Sequence, residues 1–152
     1  MPNRARNAKQ PKEYAPRLLV LDDDVVQRTI ISRIGRQCGF HVVGAATLQE
    51  AEQLVREWKF DCVTIDIALG ADCGAALLGK LSNQDGLISI VVISGADRKI
   101  LQATADKARS LGFVSHAMTK PLNLIELRAV LGEKCRDAPI QRSLNKLPAS
   151  TV

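Results

Sequence analysis

CVTID, residues 62–66, carries no charge until its last residue, an acid. A strand with one wet face alternates polar and apolar side chains; a strand covered on both faces does not, and it belongs in a parallel sheet sandwiched by helices. ISIVVIS (88–94) repeats the pattern and stops on a serine, LLVLDD (18–23) stops on two aspartates, and VSHAMTKP (114–121) leads into a lysine. Strands are expected near 17–22, 40–45, 61–66, 88–94 and 113–118.

Amphipathic stretches fill the gaps. Ala51, Leu54, Val55 and Trp58 follow helical spacing behind Thr47 and Glu50, a capping box, and Trp58 is expected in the core. Ile100, Leu101, Thr104, Ala105, Ala108 and Leu111 form a second stripe, stopped by Gly112. A last helix follows Pro121, with Asn123 as N-cap and Leu124, Leu127, Val130 and Leu131 as its buried face. The first helix takes Asp24 as cap and Val26, Ile30, Ile34 and Cys38 as inner face; a third is expected near Asp72 to Leu81. Strands alternating with helices, joined by right-handed crossovers, give an α/β fold with a doubly wound five-stranded parallel sheet, whose function sits at the carboxyl ends of the strands.

That edge gathers Asp22, Asp23, Asp66, Ser94 and Lys120. Carboxylates about 4 Å apart repel by roughly 4 kcal/mol per pair at an effective dielectric near 20, so the cluster needs a cation or protons. A hard divalent ion with oxygen ligands meets the need, and Mg²⁺ suits it because it keeps waters and accepts phosphate oxygens. A carboxylate is also a nucleophile toward phosphorus once charge on the transferring group is neutralised, a task Lys120 can share while Ser94 donates a hydrogen bond.

Composition sets the bounds. The chain has 152 residues, 46% of them hydrophobic and 24% charged, enough for one domain with a full core. No stretch resembles a membrane span or a secretory signal, so a cytoplasmic protein is expected. Four cysteines without a C-x-x-C pair argue against disulfides and structural zinc, and Cys62 and Cys73 are read as inert thiols. His41 and His116 lack metal-ligand spacing. The formal charge of +5 belongs to the ends: Arg4, Arg6, Lys9 and Lys12 face one acid in residues 1–16, and Lys134, Arg136, Arg142 and Lys146 face two in residues 132–152. The body is neutral, so nucleic acid is not expected as a partner. Residues 1–16 are read as a flexible basic tail, 17–131 as the domain and 132–152 as a flexible polar tail.

In their order, LLVLDDD (18–24), TIDIALGADCG (64–74), VVISGA (91–96) and MTKPL (118–122) resemble the receiver domain of bacterial two-component response regulators, here of a stand-alone type. The resemblance implies a flavodoxin-like strand order of 2-1-3-4-5. It makes Asp66 the phosphoacceptor, Asp22 and Asp23 the acidic pair holding Mg²⁺, and Ala68 the residue whose backbone carbonyl joins them. Ser94 becomes the hydroxyl that senses the phosphoryl group, Lys120 its partner before a cis bond to Pro121, and Gly74 the glycine beyond the acceptor. The implied partners are a sensor histidine kinase or phosphotransfer protein and a downstream target contacting residues 97–131, with a homodimer as a further possibility and no membrane.

Two positions depart from the pattern. Gly70 stands where proline is usual, and Ala117 where an aromatic switch residue is common, so the usual coupling of Ser94 movement to an inward aromatic rotamer is not expected in its standard form. No activity is expected beyond Mg²⁺-dependent self-phosphorylation and autodephosphorylation. The alternatives are a phosphorylation-independent receiver scaffold and a phosphatase of the haloacid-dehalogenase type. Asp22-Asp23-Asp24 superficially offers the latter's opening, but Val26 replaces its threonine and no acidic pair follows Lys120.

Overall fold

A computed structural model describes residues 15–69, 72–81, 87–95 and 97–145. Five strands, β1 (Arg17–Leu21), β2 (His41–Ala45), β3 (Cys62–Asp66), β4 (Ser89–Ser94) and β5 (Val114–Thr119), form one sheet. All pairings are parallel and the spatial order is 2-1-3-4-5. The helices are α1 (Val25–Cys38), α2 (Leu48–Glu57), α3 (Leu77–Leu81), α4 (Arg98–Ser110) and α5 (Leu124–Asn145). The expected doubly wound sheet is present, with every strand within about a residue of its expected span.

Continuous burial of β3 and β4 has the anticipated cause. Leu18, Val20, Cys62, Val91 and Ile93 point to one face, where Ile31 and Ile34 of α1 and Leu127 and Leu131 of α5 cover them. Leu19, Val63, Ile65, Ile90 and Val92 point to the other, beneath Ala51 and Val55 of α2, Leu77 and Leu81 of α3, and Leu101 and Ala108 of α4. Neighbouring residues on one strand thus serve two different cores. Cys62 is fully buried, and burial pushes its thiol up to about 12, which keeps it an unreactive neutral group.

The caps also follow the sequence. Asp24 accepts from Val26 N and Gln27 N, Thr47 Oγ1 from Glu50 N, and Asn123 Oδ1 from Ile125 N and Glu126 N. Glu50 reaches back to Ala46 N, one residue further than the usual reciprocal bond. Gly112 takes a left-handed φ of 91° just past α4.

Some expectations fail, for identifiable reasons. Val26 and Ile30 are 64% and 38% exposed, and α1 buries Ile31, Ser32, Ile34 and Gly35 instead. A row taken in steps of four residues turns about 40° further around the helix at each step, so 26 and 30 drift off the core that 34 faces. Ile100 leaves its stripe the same way, whereas Leu111 is the cap residue just past α4 and Leu124 the first residue of α5, and both are exposed because they sit at helix ends. Trp58 is not core: it caps α2 at 48% exposed, its ring 4.7 Å from the Arg17 guanidinium. The third helix is short because a two-residue antiparallel ribbon, Ala68–Leu69 with Asp72–Cys73, and a 3₁₀ turn, Gly74–Ala76, occupy its expected first half. The segment from 132, expected as a flexible tail, is helical as far as Asn145. It runs through Pro139 at the loss of one backbone hydrogen bond and buries Ala138. Gly70 lies outside the described residues.

Candidate functional site

The carboxyl edge of the sheet is built by strands that end one after another. Asp22 leaves β1 with its N–H still donating to Ala45 O of β2 at 3.0 Å, so its backbone remains strand-like while its side chain turns to the edge. Its Oδ1 accepts from Asp24 N at 2.9 Å, inside the turn that caps α1. Asp66, the last residue of β3, accepts from Ala68 N at 3.0 Å on Oδ1 and from Lys120 Nζ at 2.8 Å on Oδ2. Lys120 is fixed by its own N–H donating to Ser94 O at 3.0 Å, and it precedes a cis bond to Pro121. Ser94 is buried at the end of β4.

All five expected side chains therefore arrive at one edge. Asp22, Asp23 and Asp66 each offer an oxygen, and these lie within 4.8 Å of one another. Asp22 and Asp66 are 1% and 2% exposed, whereas Asp23 faces solvent. Among the described residues, four buried side-chain polar atoms lack a hydrogen-bond partner, and Asp22 Oδ2 alone belongs to an acid. A buried anionic oxygen without a donor, beside two more carboxylates, fits a divalent cation in chemistry and charge.

Protonation reflects this crowding. Burial above all, then the charges of Asp66 and Asp23, lift Asp22 to about 6 against the opposing Asp24 N–H bond and Lys120 charge. Burial alone would pull the Lys120 ammonium down, but the hydrogen bond and charge of Asp66, with Asp22 and Asp23 behind it, outweigh burial and hold it above its ordinary value. The site holds its one lysine charged and would shed protons on taking up a metal.

Gly74 supports the acceptor from behind. Its N–H donates to Ile67 O at 2.9 Å, and a Cβ there would overlap the carbonyl oxygen of Asp66 and come within 2.7 Å of Ile65 Cγ2. Any larger residue would push β3 and the acceptor out of place. Two neighbours escaped sequence reasoning. Arg28 donates from Nη1 to the backbone oxygen of Asp22 at 2.7 Å, and Gly44 leaves room for its stem. A lone glycine inside a strand was the available signal, since it often marks a close approach.

Comparison with known proteins agrees with this geometry. The family model described as "Response regulator receiver domain" matches residues 18–132, and the chain belongs to that family. It is 28% identical over 114 residues to the transcriptional regulatory protein ZraR of Escherichia coli, an alignment covering 75% of this chain and 25% of that protein. The chain thus spans about a quarter of the length of the curated relatives it matches. Among solved structures, a response regulator protein from Burkholderia pseudomallei with a phosphorylated aspartic acid, calcium ion and citrate is 28% identical, with a TM-score of 0.63 over 87% of this chain and 75% of that one. The beryllofluoride-activated NtrC4 receiver domain dimer is 25% identical, with a TM-score of 0.64 over 80% of this chain and 98% of that one. Receiver membership removes the ground for the phosphatase reading. No helix among the described residues is long and apolar enough to cross a membrane.

Proposed function

We propose that this chain is a cytoplasmic phosphoacceptor that takes a phosphoryl group onto Asp66 from a histidine kinase or phosphotransfer protein and signals through protein contact. The observation that carries the reading is the pairing of Asp66 Oδ2 with Lys120 at 2.8 Å beside the unpartnered Oδ2 of Asp22. Mg²⁺, held by Asp22, Asp23, Asp66 and the Ala68 carbonyl, would neutralise charge on the transferring group. In the transfer, an Asp66 carboxylate oxygen bonds to phosphorus as the bond to the donor histidine nitrogen breaks. Lys120 then passes from the carboxylate to a phosphoryl oxygen, and the Ser94 hydroxyl donates to another. Hydrolysis of the acyl phosphate by water resets the site.

A groove of about 460 Å³ between α1 and α5, lined by Val25, Val26, Ile30, Arg33, Leu124 and Arg128 and by none of the five site residues, offers a surface on which a donor can dock. Output is assigned to residues 97–131, either toward a target or a second copy of the chain. Ala117 pairs with Val92 across β4 and β5 and packs half-buried on the core, so no ring is present at that position to swing inward. Transmission is therefore assigned to movement of Ser94 and the backbone leading into α4. The test is incubation of the full chain with acetyl phosphate and Mg²⁺, read by intact mass. One phosphoryl group per chain, labile at alkaline pH and absent in Asp66→Asn, is expected. Failure to label, with partner binding indifferent to Asp66→Asn, would overturn the reading in favour of a phosphorylation-independent scaffold.

A further inference from the structure

The backbone of Asp22 is held from two sides that have nothing to do with its carboxylate. Its N–H donates to Ala45 O, and its carbonyl accepts from Arg28 Nη1 at 2.7 Å. Arg28 lies in the first turn and a half of α1, half-buried, and has no ion pair among the described residues, although the residue whose carbonyl it holds belongs to a cluster of three acids. Its stem crosses β2 at Gly44, where an added Cβ would sit 3.2 Å from Arg28 Cδ, 3.5 Å from Cγ and 3.7 Å from Nε. A guanidinium bonded to the backbone carbonyl of a clustered acid, and not to a carboxylate, with its stem laid against a glycine, is placed for geometry.

Resting on the phosphoacceptor reading, we infer that Arg28 is a positioning residue for the divalent-ion site and that Gly44 is the notch that seats it. With the carbonyl clamped and Oδ1 tied to Asp24 N, the Asp22 side chain keeps little freedom, and Oδ2 is presented to the ion in one direction. Partners that orient a metal ligand commonly change affinity by 10- to 100-fold when removed. The sign separates this role from plain electrostatics. A cation near the ion repels it, so losing Arg28 would tighten Mg²⁺ binding if charge alone mattered; losing a clamp weakens it.

The experiment is Mg²⁺ titration of the full chain by calorimetry, alongside thermal melting in EDTA, for wild type, Arg28→Gln, Arg28→Lys and Gly44→Val. Valine suits an exposed strand position, so Gly44→Val is expected to keep the metal-free melting temperature while evicting the Arg28 stem. Both Arg28→Gln and Gly44→Val are expected to raise the Mg²⁺ dissociation constant roughly tenfold, and Arg28→Lys, which retains a donor, by less. Unchanged or tighter Mg²⁺ binding in Arg28→Gln and Gly44→Val would overturn the inference alone. Absence of Mg²⁺ binding by the wild type would overturn the phosphoacceptor reading and this inference with it.

Discussion

The two ends of the sheet each bury an aspartate, and burial above all lifts both to about 6, yet they are built for different ends. At the amino edge, Asp61 accepts from Arg17 N at 2.8 Å, with the Arg17 charge nearby and the Arg17 guanidinium stacked on Trp58. At the carboxyl edge, Asp22 keeps one oxygen without a partner and stands among two more acids. A perturbed acid is therefore not a sign of function by itself. An unmet acceptor in a cluster of like charge is the sign, because the fold leaves there a deficit that a bound cation, or failing that a proton, removes.

The largest separation between the two ends should come from Mg²⁺. Asp22→Asn is expected to weaken Mg²⁺ binding by about 100-fold or more, removing the rise in melting temperature that Mg²⁺ gives the wild type, while Asp61→Asn leaves that rise intact. Equal loss in both variants would break the contrast. Next in size, Lys120→Met is expected to slow acetyl-phosphate labelling of Asp66 by about 100-fold, since it deletes a preorganised cation aimed at the developing charge, and Ser94→Ala by about tenfold; stopped time courses of intact mass measure both.

In EDTA the two ends should instead behave alike. A folded-state value raised from 3.8 to about 6 stabilises the fold fully below pH 3.8, and that contribution is lost as pH rises through 6. Both Asn variants are therefore expected to gain about 1–2 kcal/mol over wild type at pH 7, with the gain disappearing near pH 4, as read by urea unfolding across pH. A gain that persists at pH 4 would show that charge is not its source. The smallest effect belongs to the amino edge: Trp58→Leu is expected to cost about 0.5 kcal/mol, the value of an exposed cation–π contact, with no change in Mg²⁺ binding.

Sequence legibility followed the same division. The strand ends were plain because an uncharged run that stops on Asp22, Asp66 or Ser94 can only place those groups at the carboxyl edge. Their contacts with Lys120 needed no more than the order of the runs. Helix orientation was harder: Val26 and Ile30 are apolar like Ile31 and Ile34, and only tertiary packing decides which row faces inward. The region from Ala68 to Ala76 gave no periodicity to read, since a ribbon and a 3₁₀ turn replace a helix there. The Arg28 clamp was hidden because its partner is a backbone oxygen, which no residue type advertises.

One element joins the two ends. α5 begins at Leu124, four residues past Lys120, and continues for 22 residues. At 1.5 Å per residue it is a rod about 33 Å long, so a tilt of about 5° at its start displaces its far end by about 3 Å. Small adjustments around the lysine can thus be read at a distance as leverage, without any aromatic ring having to turn.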